Sequence, residues 1–218
     1  IIQDYVGLFQ KPKLPPRYAF GIWVSANHWN CEADVDRLLA ELEEYRFPAS
    51  VIVLEAWSDE ATFYIWNGAE YKPEKSKEGF SYEDFDFRNS PYWKNPKGMI
   101  EKLHEKGKKL VLWQIPVFKG MEPDRTSEQL DLDKEYAIEH GLAVLNKDGT
   151  PYEIPEGNWF EGSYIPDFTN EKTREFWFRK RQYLTDIGVD GFKTDGGEFI
   201  YSKDVLFSDG TDGEEGKN

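Results

Sequence analysis

The sequence predicts an α/β protein built on a parallel sheet. Four compact apolar runs, at residues 18–24, 50–54, 109–113 and 189–194, are continuous rather than alternating, as in strands covered on both faces. Each is separated from the next by at least one segment with helical periodicity, the order expected of βα units. A third observation selects among parallel architectures. Polar and aromatic residues cluster directly after the strands, where barrel proteins build their sites, and no G-x-G-x-x-G loop follows the first strand. The expectation is a (β/α)8 TIM barrel represented by its first four βα units only, because a complete barrel has eight and typically ~250 residues.

Residues 1–16 read as a lead-in from an upstream domain, with Pro15 and Pro16 fixing an extended approach to the first strand. Residues 17–218 read as the partial barrel. Between the first two strands, Val35, Leu38, Leu39, Leu42 and Tyr45 recur at helical spacing, and Pro48 is placed to stop that helix. Before the third strand, Met99, Ile100 and Leu103 mark a helix over 98–106, and Gly107 stands where a left-handed cap belongs. The clearest helix precedes the fourth strand. Thr169 and Asn170 are its N-cap candidates, Glu171 its acidic first turn, Phe176, Trp177, Tyr183, Leu184 and Ile187 its apolar stripe, and Gly188 its close. Two long segments, 57–95 and 117–166, are polar and aromatic, as expected of rims and lids.

At 218 residues the chain fits one large domain. Its 41 acidic and 27 basic side chains give a formal net charge of −14, which argues against nucleic acid as a partner. No stretch approaches the ~18 apolar residues of a membrane helix. No signal segment opens the chain, so it reads as a soluble protein, cytoplasmic or secreted, with no membrane partner. The single Cys31 excludes an internal disulfide and reads as a packing residue. With three His and one Cys, no zinc site is expected: His28 reads as a rim residue, and His104 and His140 fall in helical segments. Asp209, Asp212, Glu214 and Glu215 crowd together without the spacing of a calcium loop, so they read as a solvated turn. Aromatic residues are more telling. They make up 16% of a chain whose mean hydropathy is −0.71, with eight Trp, and flat rings either fill cores or stack on sugars.

The fourth strand ends in "GVDGFKTDGGE", residues 188–198. Side chains at i and i+2 share a face of a strand, so Lys193 and Asp195 point the same way. The nearby ammonium is expected to hold the carboxylate ionised, which suits a nucleophile, while Gly196 and Gly197 turn the backbone away. The same pair reads equally as an ion pair sealing a strand end, and spacing does not separate the two. Glu198 is expected to brace the turn.

This segment resembles the nucleophile strand of glycoside hydrolase family 31, whose members often read Lys-Thr-Asp-x-Gly-Glu. Other segments agree in order: "LPPRYAFGIWVS" is similar to the family's first barrel strand, "PASVIVLEAW" to its second, "NPKGMIEKLHEKGKKLVLWQIP" to the stretch through its third, and "PDFTNEKTREFW" to the helix before the nucleophile. The resemblance covers nearly the whole chain. It implies a retaining α-glycoside hydrolase or transglycosylase acting on α-glucosides, whether oligosaccharides or small glucosides, without metal or organic cofactor. Asp195 is the implied nucleophile and Lys193 a neighbouring substrate-binding residue. The acid/base partner that retention requires, at about 5–5.5 Å, is in this family an aspartate from a later strand. The final "FSDGTDGEEGKN" resembles the stretch before the fifth strand, so the rest of the barrel is an expected partner, and residues 1–218 alone are expected to be insoluble or inactive.

Trp113 falls at the family's Trp-Ile-Asn-Pro position, here Trp-Gln-Ile-Pro, and is expected to wall the sugar pocket. Glu55 falls where the family commonly has an aspartate that hydrogen-bonds the nonreducing sugar. Trp29, Trp57 and Trp159, in loops after strands, are further candidates for stacking on glycosyl units or for packing. Two other readings stay open: a noncatalytic carbohydrate-binding barrel, and an enzyme using Lys193 for Schiff-base chemistry.

Overall fold

A computed structural model describes residues 2–8, 13–121 and 125–214. After a short helix α1 (Ile2–Gly7), the chain alternates β1 (Ile22–Ala26), α2 (Glu32–Glu44), β2 (Ala49–Leu54), α3 (Pro96–Glu105), β3 (Lys109–Gln114), α4 (Glu128–Glu139), β4 (Leu145–Asn146), α5 (Glu171–Asp186), β5 (Gly191–Thr194) and β6 (Val205–Leu206). Four strands form one parallel sheet in the order β1-β2-β3-β5. β4 and β6 form a separate antiparallel pair. The expected barrel strands are therefore present, paired with the parallel sense that βα units impose.

The β2 residues Val51, Ile52, Val53 and Leu54 and the β3 residues Leu110, Val111 and Leu112 are all buried, which is why these strands read as unbroken apolar runs. One sheet face packs against α2, α3 and α5 through Leu38, Leu42, Ile100, Leu103 and Leu184. On the outer strand, Ile22 and Trp23 remain exposed. The first strand begins later than predicted. Arg17–Phe20 form a 3₁₀ turn behind Pro16, and Gly21 bends the chain so close to Ser50 that a Cβ there would lie 1.9 Å from its hydroxyl.

Helices α2 to α5 share one ending. A residue with positive φ (Arg46, Gly107, Gly141, Gly188) follows each, and the next amide donates back across the last turn, for example Phe47 N–H to Leu42 C=O at 2.9 Å. Helix α2 therefore stops by its own cap at Tyr45, ahead of the Pro48 expected to end it. Asn170, of the two candidates, caps α5, its side chain accepting from Lys172 N–H.

Much of the two long segments packs inward or forms helix. Residues 57–95 fold back into the core, burying Trp57, Tyr64, Ile65, Trp66, Phe85, Phe87 and Trp93 among the helices and strands. Residues 117–166 contain α4, which hydrophobic periodicity did not reveal. Its buried face is Gln129, Leu130, Asp133 and Ala137: the spacing is helical, but half of the positions are polar. Lys180, from α5, meets Asp133 at 3.1 Å, and that carboxylate also accepts from Tyr64 Oη at 2.6 Å and Gln129 Nε2 at 2.8 Å. No described helix is long and apolar enough to cross a membrane.

Candidate active site at the carboxyl ends of the strands

Parallel pairing brings Glu55, Trp113, Lys193 and Asp195 to one edge of the sheet. Trp113 is the register partner of Lys193 across β3 and β5, and Asp195 N–H continues the ladder by donating to Gln114 C=O at 2.9 Å. Glu55 follows directly on β2. Its carboxylate accepts from Ser25 Oγ of β1 at 2.5 Å and from Lys193 Nζ at 3.0 and 3.3 Å.

The expected Lys193–Asp195 unit is thus reweighted. Lys193 Nζ is 4.0 Å from Asp195 and nearer to Glu55, so the ammonium bridges two carboxylates instead of serving one. Asp195 is held chiefly by other donors. Trp113 Nε1–H donates to Oδ2 at 3.0 Å and Gly196 N–H to Oδ1 at 2.9 Å. The indole hydrogen bond, then the Gly196 amide, and only then the charge of Lys193, keep this carboxyl below its ordinary range. Gly196 can deliver that amide because it turns at φ 69, and a Cβ there would lie 2.4 Å from the Phe199 ring. The Asp195 side chain remains 43% exposed.

Behind the edge lies Gln114, the residue after Trp113 in Trp-Gln-Ile-Pro. It is buried, donating through Nε2 to Thr194 Oγ1 at 2.8 Å and accepting at Oε1 from Arg181 Nε at 2.6 Å. Burial pushes the Arg181 guanidinium down to about 9, and its plane lies 3.5 Å from the centre of a Trp177 ring. The strand ends that carry Trp113 and Asp195 are therefore tied together from beneath as well as along the ladder.

Two expected site residues, Trp57 and Trp29, fall elsewhere. Trp57 is fully buried, edge-on to Trp66, with its Nε1–H donating to Trp113 C=O at 2.7 Å, so it supports the site from the core and presents no face for a sugar. Trp29 is half-buried against the main core beside exposed His28. Glu198 is exposed and makes no hydrogen bond or ion pair with the described residues, so it does not brace the turn. Trp159, in contrast, is 54% exposed and its ring lies 6.5 Å from that of Trp113. Cys31 donates to Asp34 at the start of α2. Among the described residues no group of three His, Cys, Asp or Glu is arranged to hold a metal. Of the acidic terminal turn, Glu214 pairs with Lys203, and Glu215 lies outside the described residues.

A parallel βα sheet that gathers its charged and aromatic groups at the carboxyl ends of its strands defines this chain as part of a TIM-barrel domain. The model of the glycosyl hydrolases family 31 TIM-barrel domain matches residues 12–216. The chain belongs to glycoside hydrolase family 31. It is 42% identical, over 100% of its own length and 20% of the relative's, to an isomaltosyltransferase of Sporosarcina globispora. Among solved structures, a cycloalternan-forming enzyme from Listeria monocytogenes in complex with a pentasaccharide substrate is 43% identical. It superposes with a TM-score of 0.93 over 100% of this chain and 20% of that one. A cycloalternan-degrading enzyme from Trueperella pyogenes, in complex with a covalent intermediate, is 36% identical with a TM-score of 0.92 over 29% of its length. The chain thus spans under a third of the length of these relatives.

Proposed function

We propose that this chain carries the nucleophile of a retaining α-glycosidase or α-glycosyltransferase acting on α-glucosides. The observation that carries the reading is the Asp195 carboxylate: accessible at the end of β5, yet held ionised by two N–H donors. A nucleophile needs that combination, because the anion must be the populated form and must be reachable. Each carboxylate oxygen accepts one hydrogen bond from these donors and keeps a further lone pair. In the first step Asp195 attacks the anomeric carbon as the glycosidic C–O bond breaks, and the departing oxygen takes a proton from a second carboxyl, which the family places on a later strand. Water or a sugar hydroxyl then displaces Asp195 from the same carbon, giving its proton to that second carboxylate, which acts as base in this step. Hydrolysis and transfer differ only in that acceptor. The relatives span both outcomes, an isomaltosyltransferase and a cycloalternan-degrading enzyme, and the latter is the one solved with a covalent intermediate.

Lys193 and Glu55 complete the pocket as substrate-binding groups. Glu55 faces the Lys193 ammonium and offers lone pairs to sugar hydroxyls, and Trp113 presents a ring edge-on to Phe63 at 5.5 Å beside Asp195. Trapping the full-length protein with a fluorinated α-glucoside and mapping the labelled peptide tests the assignment. The expected label is on Asp195. A label on another residue, or sugar binding with no covalent adduct, overturns it, the second outcome in favour of a noncatalytic sugar-binding barrel.

A further inference from the structure

We infer that the cleft between α4 and the turn at 153–162 is a second sugar-binding site, taking neutral glycosyl units of an oligosaccharide whose other end lies at Asp195. This rests on the α-glucoside reading above and extends it along the substrate. The cleft measures about 850 Å³ and is lined by Lys119, Lys134, Glu153, Glu156, Asn158 and Trp159, among others. Its position is set by the same strand ends as Asp195. Ile154, at its floor, packs with Ile115 and Val117, which follow β3, and with Phe199, which follows β5. Trp113 packs against that cluster and also donates to Asp195.

Trp159 is the shared wall. Its ring is supported by Phe160 at 4.8 Å, Phe199 at 6.1 Å and Trp113 at 6.5 Å, yet more than half of it faces solvent. An indole fixed from behind and open in front provides a flat apolar surface for one face of a pyranose. The turn that presents it is strained. Phe160 sits at φ 60, a conformation costly for an aromatic residue, between Gly157 at φ 80 and Gly162 at φ 68. Such backbone persists where the surroundings over-determine it, and it recurs at ligand clamps.

The remaining lining identifies the ligand class. Lys119 and Lys134 stand with Glu153, Glu156 and Glu161, and Asn158 adds an amide, so the walls offer both donors and acceptors and the two signs of charge nearly balance. A polyanion would meet the glutamates and a cation the lysines. A neutral polyol satisfies both sets. Lys119 has one N–H on Glu60 C=O at 2.8 Å and lies over the Phe63 and Phe160 rings, which holds its head at the cleft with two donors to spare.

Titration calorimetry on the full-length protein carrying Asp195→Asn, which removes turnover, provides the test. The titrants are a linear α-glucotetraose and glucose. Trp159→Ala is expected to weaken the tetrasaccharide about tenfold and to weaken glucose far less, while Trp159→Phe restores most of the loss. Glu156→Ala, at an exposed position that does not endanger folding, is expected to weaken the tetrasaccharide several-fold. Tetrasaccharide affinity that both substitutions leave unchanged, or equal losses for glucose and tetrasaccharide, overturns the cleft as a sugar site. Failure of the fluorinated glucoside to label Asp195 overturns the chemistry instead, and leaves a tetrasaccharide-selective effect of Trp159 standing as support for the cleft.

Discussion

Lys193 and Lys180 each face an aspartate, and the two pairs sit in opposite surroundings. At the strand ends, Lys193 and Asp195 are 45% and 43% exposed and 4.0 Å apart. Between α4, α5 and the 57–95 segment, Lys180 and Asp133 are 2% and 4% exposed and 3.1 Å apart. Their carboxyls move in opposite directions. Hydrogen bonds from Trp113 and Gly196 pull Asp195 down, whereas burial pushes Asp133 up despite Lys180, Tyr64 and Gln129. The linkage signs follow. Asp195, with its folded value below the unfolded one, contributes stability that is lost as pH falls through the folded value. Asp133, with its folded value above, contributes stability that is present at low pH and lost as pH rises through the folded value. One pair keeps a charge available to a ligand; the other encloses a charge and depends on its partners to tolerate it. The first pair lies open at the strand ends, and the second ties the loops around the sheet.

The largest expected effect separates the two directly. Asp195→Ala should lower kcat/KM on an aryl α-glucoside by roughly 10⁴-fold or more, with little change in melting temperature because the side chain is half open to solvent. A large fall in melting temperature would erase the distinction. Next in size, Lys180→Met leaves Asp133 buried without its cation and should cost about 3–5 kcal/mol in urea unfolding. Replacing Asp133 by Leu in the same protein should recover much of that loss, because the uncompensated charge is then gone. Lys193→Met, at the exposed pair, should change stability by less than about 1 kcal/mol while weakening substrate binding.

The sequence revealed more of the exposed pair than of the buried one, for physical reasons. The strands were legible because residues 51–54 and 110–112 are apolar on both faces, and Asp195 because a charge at the end of such a run is anomalous. Lys180 and Arg181 lie in "FRKRQ", which has the composition of a solvated helix face; only the packing of α4 and the 57–95 segment buries them. Helix α4 was hidden because Gln129 and Asp133 occupy its core-facing positions. Trp57 misled because a position just after a strand reads as a rim, although its indole N–H is engaged by a carbonyl beneath. The Trp113–Asp195 bond joins residues 82 apart in sequence and depends on the β3–β5 register, which no local pattern encodes.

That register supplies a smaller effect with a distinct signature. Trp113→Phe keeps a ring and removes the donor, so kcat/KM should fall about tenfold and the acid limb of its pH profile should move to higher pH, since Asp195 then protonates more readily. Glu55→Asp should have the smallest effect, roughly two- to fivefold in KM, and should shift the same limb the other way. Shortening that side chain draws its carboxylate away from Lys193 Nζ, now at 3.0 Å, and releases the ammonium toward Asp195. A freer cation beside Asp195 favours the anion, so the limb should move to lower pH. Opposite shifts in one assay would show that Trp113 and Lys193 set the ionisation of Asp195 independently. A common direction would mean that the ammonium remains committed to residue 55 and that the indole alone governs the ionisation of Asp195.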